Sequence, residues 1–67
     1  MSVAKVTELS ATSSKSFEDA LQQGLARANK TLRNIRSAWI KEQHVKIKDG
    51  AIAEYRVNMM VTFVLDD

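Results

Sequence analysis

The sequence predicts an α+β fold, a three-stranded antiparallel sheet in β-α-β-β order wrapped around one helix. Three observations carry this reading. Tyr55, Val57, Met59, Val61, Phe63 and Leu65 share one parity in the closing segment. Such period-two alternation marks a strand with one face buried. Phe17, Ala20, Leu21, Gly24, Leu25, Ala28 and Leu32 recur instead at helical spacing, which makes a single apolar stripe. Asp49-Gly50 lies between two long strand-like runs, and that dipeptide is a strong two-residue hairpin signal.

The elements follow in order. Val3 to Leu9 reads as a short first strand. Ser10 to Ser16 is a Ser/Thr-rich break in which Ser13, Ser14 or Ser16 is available as an N-cap. With Ser16 as the cap, Asp19 falls at the third helical position, where it can answer the cap. Glu18 and Asp19 together favour the positive end of the helix dipole. The helix is expected over residues 16–33, with Arg27, Lys30 and Arg33 toward its negative end and Asn34 as a left-handed C-cap. Gly24 stands on the apolar stripe at a cost of about 1 kcal/mol against alanine, so a close approach of helix to sheet is expected there. The second strand runs from Arg36 to Lys48, and the third continues to Leu65.

A straight hairpin ladder built from Asp49-Gly50 sets Lys48 opposite Ala51, Ile47 opposite Ile52 and Gln43 opposite Arg56. Further out, Lys41 faces Asn58, Trp39 faces Met60 and Ser37 faces Thr62. On this register Ala38 and Ile40 join Val57, Met59, Val61 and Phe63 under the helix, and His44 shares that side with Tyr55. The far face then carries Trp39, Met60, Val45, Ile47 and Ile52, which is too apolar for open solvent. Strands of about 13 residues span about 43 Å at about 3.3 Å per residue. A helix of about 18 residues covers about 27 Å at about 1.5 Å per residue. Part of the hairpin must therefore project or pack on another chain.

Composition narrows the function classes. The chain of 67 residues reads as a single domain spanning residues 1–67, near the lower limit of autonomous folding. It contains no cysteine, which removes disulfide staples and thiolate metal cages and suits a reducing compartment. Small unstapled chains usually need oligomerisation. There is no membrane-spanning run and no signal-peptide pattern, so a cytoplasmic location is expected. The net charge is +2, with bases scattered among acids, which does not mark a nucleic-acid partner. No nucleophile–base–orienter set and no Gly-rich phosphate loop is present, so catalysis is not expected.

Individual residues leave alternatives open. Trp39 on a mixed sheet face is either an oligomer contact or a stacking platform for a planar ligand. Arg56 either pairs with Glu42, Glu54 or a C-terminal aspartate, or holds a phosphate or carboxylate through its guanidinium fork. His44 is the one histidine of the chain. It has no second histidine at metal spacing and reads as structural. Asp66 and Asp67 are either a solvated tail or oxygen donors for calcium or magnesium, gathered by symmetry.

Several strings in this order resemble the dodecins: Ala11-Thr12-Ser13, Leu25-Ala26-Arg27-Ala28, Lys30-Thr31-Leu32-Arg33-Asn34, Lys48-Asp49-Gly50, and Glu54-Tyr55-Arg56-Val57 leading to Val61-Thr62-Phe63. The resemblance implies a homododecameric hollow shell that binds flavin (FMN, FAD or riboflavin). In that family a tryptophan of the second strand stacks on the flavin ring and a glutamine of the third strand hydrogen-bonds it. Aligned on Thr31-Leu32-Arg33-Asn34, those positions fall on Ser37 and Arg56, and a basic position falls on His44. Glu42-Gln43 and Tyr55-Arg56 resemble a subset that lacks both residues and forms cation-bound or ligand-free shells. The expected ligand-binding residues are therefore Ser37, Trp39, Gln43, Arg56 and Met60. A structural or calcium-holding shell, with Trp39 in an interface, is the alternative. A weak nucleic-acid-binding module is the third reading.

Overall fold

The computed structural model describes residues 3–65. It contains strand β1 (Ala4–Ser13), helix α1 (Phe17–Ala28), strand β2 (Ile35–Lys48) and strand β3 (Ala51–Val64). The strands form one antiparallel sheet in the order β1-β3-β2. The β-α-β-β architecture expected from the sequence is present, with the alternating closing strand at the centre of the sheet.

β1 runs four residues further than its apolar pattern. Ser10, Ala11, Thr12 and Ser13 pair with Asn58, Val57, Arg56 and Tyr55. Ladder pairing with a central strand outweighs the weak strand preference of serine, because β propensity depends on neighbours. Ser13 then breaks the strand. Its hydroxyl accepts from the Lys15 backbone N–H at 2.9 Å and donates to an Asp19 carboxylate oxygen at 2.6 Å.

Of the three N-cap candidates, Ser16 caps α1, its side chain accepting from the Asp19 backbone N–H at 3.0 Å. Asp19 does not complete a reciprocal box with Ser16. Its carboxylate reaches back to Ser13 and also accepts from the Gln23 amide. The Ser13 hydrogen bond holds the Asp19 carboxyl below its ordinary value of 3.8, aided by Gln23 and Lys15 and opposed by desolvation.

The helix ends at Ala28, well short of residue 33. Asn29 is the C-cap. The Thr31 backbone N–H and the Leu32 backbone N–H both turn back to the Ala28 carbonyl, at 3.1 and 2.8 Å. The Thr31 hydroxyl donates to the same oxygen at 3.4 Å. This local competition for a carbonyl is the usual reason threonine and asparagine weaken helices. Asn34 adopts φ 60°, as expected of a left-handed residue. Its place is the entry to β2, where its carbonyl accepts from the Val64 N–H at 3.1 Å.

α1 lies on one face of the sheet. Ala20, Val57, Met59 and Val61 are fully buried between them, with Leu9, Ala11, Phe17, Leu21, Leu25, Ile35 and Ala38 packed around. Phe17 meets Tyr55 edge to face at 5.1 Å. At Gly24 an added Cβ would lie 2.6 Å from the Met59 terminal methyl and 3.1 Å from the Ala11 Cβ. The close approach expected from the sequence is thus real.

The length mismatch is larger than the sequence implied. A helix of 12 residues covers about 18 Å at about 1.5 Å per residue. Strands of 14 residues reach about 46 Å at about 3.3 Å per residue. The molecule is 51 Å long, and the hairpin tip extends well past the helix. There Ile47 and Ile52 remain 57% and 50% exposed.

Two consequences are testable. Gly24→Val should cost about 1–3 kcal/mol by overpacking against Met59 and Ala11, read as a lower denaturant midpoint. A melting curve unchanged from wild type would show that the helix lifts freely. The depressed Asp19 carboxyl adds stability that is present above the ordinary carboxylate value and lost as pH falls through the folded-state value. Acid unfolding of wild type should therefore be steeper than that of Asp19→Asn, with the two curves converging at the acid end.

Candidate ligand-binding face

The sheet face turned away from α1 is set by the register between β2 and β3, which is not the straight ladder read from the sequence. From the turn, Lys48 pairs with Ala51 and Ile47 with Ile52, as expected. Lys46 then pairs with Glu54, Val45 with Tyr55, His44 with Arg56, Gln43 with Val57 and Glu42 with Asn58. Beyond that, Ile40 pairs with Met59, Trp39 with Met60 and Ser37 with Thr62. Ala53 is thus an extra residue on β3 and Lys41 an extra residue on β2. The two bulges compensate, and the window between them is shifted by one residue relative to the straight ladder.

Because the side-chain period is two, a shift of one residue moves every side chain in the window to the other face. Gln43, expected beside Arg56, instead shares the helix side with Val57. His44, expected on the helix side, lies outward beside Arg56. Val45, Ile47 and Ile52, expected on the far face, fall on the helix side with Tyr55. A third irregularity, at Arg36, returns Ile35 to Phe63 and the core.

Across the three strands the outer face is built in rows. Val6, Thr62 and Ser37 form one, and Glu8, Met60 and Trp39 the next. Ser10, Asn58 and Glu42 follow, and then Thr12, Arg56 and His44. Cross-strand partners on one face lie within contact range. The Asn58 amide donates to Glu42 at 2.7 Å, and Lys41 of the bulge reaches Glu8 at 3.3 Å. The Arg56 guanidinium donates to the Ser10 hydroxyl at 2.9 Å and lies 3.7 Å from Glu54. These charges are largely exposed, and such pairs are worth little on their own. Trp39 is half exposed.

Of the expected site residues, Ser37, Trp39, Met60 and Arg56 share this face, and Gln43 does not. Trp39 packs beside Met60. Arg56 lies four positions along β3 from Met60, about 13 Å away at about 3.3 Å per residue. Ser37, opposite Thr62, is about 20 Å from Arg56 on the same scale. No small ring touches Ser37 and Arg56 within one protomer.

Ser37 offers no aromatic platform. Arg56 has donors but no acceptor, so it does not replace a glutamine that must do both. The residues present do not fit the flavin contact that the dodecin resemblance implied. Among the described residues no group of three or more His, Asp or Glu side chains is arranged to hold a metal ion. Asp66 and Asp67 lie outside the described residues.

One concavity was not foreseen. A trough of about 400 Å³ runs between the outer edge of β1 and α1. Its sequence signal, in hindsight, is the small side chains at Ala11, Gly24 and Ala28.

A short helix laid on a projecting three-stranded antiparallel sheet, with a mixed outer face, defines a small β-α-β-β class of α+β proteins. Sequence and structural comparisons agree on the family. The dodecin family profile matches residues 3–66, and the chain belongs to the dodecin family. A curated dodecin from Thermus thermophilus is 40% identical over 97% of this chain and 94% of its own length. The crystal structure of a mutant of the T. thermophilus dodecin, with tryptophan replaced by phenylalanine, superposes with a TM-score of 0.95 at 39% identity, covering 100% of both chains. The dodecin from Streptomyces davaonensis gives a TM-score of 0.94 at 33% identity, covering 98% of this chain and 97% of that one. A calcium-chelating immunodominant antigen of Mycobacterium tuberculosis, calcium dodecin, has a novel calcium-binding site. It gives a TM-score of 0.83 at 32% identity, covering 96% of this chain and 91% of its own.

The paired bulges make a specific prediction. Deleting Lys41, the extra residue of its bulge, leaves every remaining β2–β3 pair in place, so Ser37 and Trp39 should stay on the outer face and the melting temperature should fall little. Deleting Ala38, which pairs with Val61 and packs on the core, has no bulge to absorb it and should lower the melting temperature sharply. Thermal unfolding followed by circular dichroism checks this; equal damage from both deletions would contradict it.

Proposed function

We propose that the chain assembles into a non-enzymatic homododecameric shell of the cytoplasm that binds, buffers or stores a small ligand between the outer sheet faces of neighbouring copies. The observation that carries this reading is the separation along the outer face. Trp39 with Met60, and Arg56 with His44, occupy rows about 13 Å apart at about 3.3 Å per residue, so no single small ring lies on both within a protomer. A second copy bringing its Arg56 row beside the first copy's Trp39 row completes a site that one chain lacks. Membership of the dodecin family and the exposed apolar tip of the hairpin support assembly. Flavin is the family-implied ligand, and the replacement of ring-stacking and hydrogen-bonding residues by Ser37 and Arg56 weighs against ordinary flavin binding.

A second reading is a structural or cation-holding shell in which Trp39 packs in an interface. It is favoured by the likeness to calcium dodecin, together with the absence of a stacking residue at position 37. Calcium is the first cation to test and magnesium the second. No helix among the described residues is long and apolar enough to cross a membrane.

Sedimentation velocity should show one large assembly. A stable monomer would defeat both readings. Titration of that assembly with riboflavin, FMN and FAD then separates them. Quenching of flavin fluorescence that is lost in Trp39→Ala supports a displaced stacking platform. No quenching at micromolar flavin, with a melting temperature that falls on chelation of calcium, supports the cation-holding shell.

A further inference from the structure

The trough between β1 and α1 lies at the sheet edge, where Ser10 and Thr12 of the outer-face rows also border it. Its floor is made by Leu9, Ala11, Gly24 and Ala28. It exists because three of these are small: a larger residue at Ala11 or Ala28 would fill the space from the floor. Its size, about 400 Å³, falls in the range of small-molecule sites.

The polar side chains around it are mostly committed. The Gln23 amide is held by Asp19, the Thr31 hydroxyl by the Ala28 carbonyl, and the Ser10 hydroxyl by Arg56. The exception with charge is Arg27, which lines the trough and forms no ion pair among the described residues. No acidic residue occurs between Asp19 and Glu42, whereas Arg27, Lys30, Arg33 and Arg36 all fall in that stretch. None of the residues lining the trough is acidic, so Arg27 is the one charge that the lining itself presents. The guanidinium supplies donors in a fork that matches a carboxylate. The trough is bounded on β1 by Leu9 to Thr12, about 10 Å at about 3.3 Å per residue. That length suits a short chain better than a folded partner.

We propose that this trough binds a small amphipathic carboxylate, its apolar chain on the Leu9–Ala11–Gly24–Ala28 floor and its head group on Arg27. Its floor and Arg27 lie on the helix side of β1, opposite to the face that carries Trp39 and Met60. A role limited to offsetting the helix dipole would leave Arg27 without any ligand dependence.

The test uses the assembled protein with sodium hexanoate as probe and 1-hexanol as the uncharged control. Hexanoate should bind saturably at millimolar concentration and shift the methyl resonances of Leu9, Ala11 and Ala28. Affinity should fall about tenfold or more in Arg27→Gln, the effect of losing a charge-assisted pair. Arg27→Lys should retain part of it, and 1-hexanol should bind no better to wild type than to Arg27→Gln. Absence of saturable shifts, hexanoate binding that is unchanged in Arg27→Gln, or shifts confined to the outer face would overturn the proposal. So would intermolecular nuclear Overhauser contacts to these methyls in the ligand-free assembly, because a second copy would then already fill the trough.

Discussion

The contact on which this structure depends is the approach of Gly24 on α1 to Met59 on β3. With no Cβ at Gly24 the helix settles close enough for Val57, Met59 and Val61 to lose all exposure. Glycine inside a helix costs about 1 kcal/mol in propensity. Full burial of each large apolar side chain contributes about 1.5–3 kcal/mol, so the exchange is favourable. The same contact limits the core. The helix has only 12 residues, so it shields the middle of a much longer sheet and leaves the hairpin tip bare.

That geometry gives the two faces of the sheet different tasks. The helix side holds a small, dry core, bordered by an apolar tip that one protomer leaves uncovered. The outer side is a mixture of Trp39, Met60, hydroxyls and loosely paired charges. Two compensating bulges decide its membership over the window from Glu42 to Lys46. Together they bring His44 beside Arg56 and take Gln43 away. Bulges near functional sites commonly re-aim side chains in this manner. Here the result is a face on which Trp39 with Met60 and Arg56 with His44 are separated along the strand.

The family relationship and the residue chemistry point in somewhat different directions, and each has a physical basis. Fold depends on pattern: the Tyr55–Leu65 alternation, the helical stripe and the Asp49-Gly50 turn tolerate wide change in outer-face residues. Ligand choice depends on a few donors, acceptors and rings. Arg56 in place of a glutamine, and Ser37 in place of a tryptophan, alter that choice without disturbing the sheet. Trp39 keeps an aromatic on the same strand face, one row along from Ser37.

Much of the fold was legible in the residues. Alternation in β3, the Ser16 cap, the hairpin turn and the close approach at Gly24 were all readable, because each follows from short-range pattern or local backbone chemistry. The end of the helix was misjudged because Leu32 continued the apolar spacing while the Thr31 hydroxyl and backbone N–H already turned to the Ala28 carbonyl. The extension of β1 through Ser10–Ser13 was hidden because those residues are held by their partners on β3. The candidate site was half legible: Ser37, Trp39, Met60 and Arg56 share a face as expected, whereas Gln43 and His44 exchange sides. The sequence by itself determined the order of elements, the buried parity of β3 and the identity of the chemical groups available. Only the tertiary structure decided which groups meet. A single extra residue at Ala53 or Lys41 leaves almost no mark on composition or periodicity, yet it inverts a strand face.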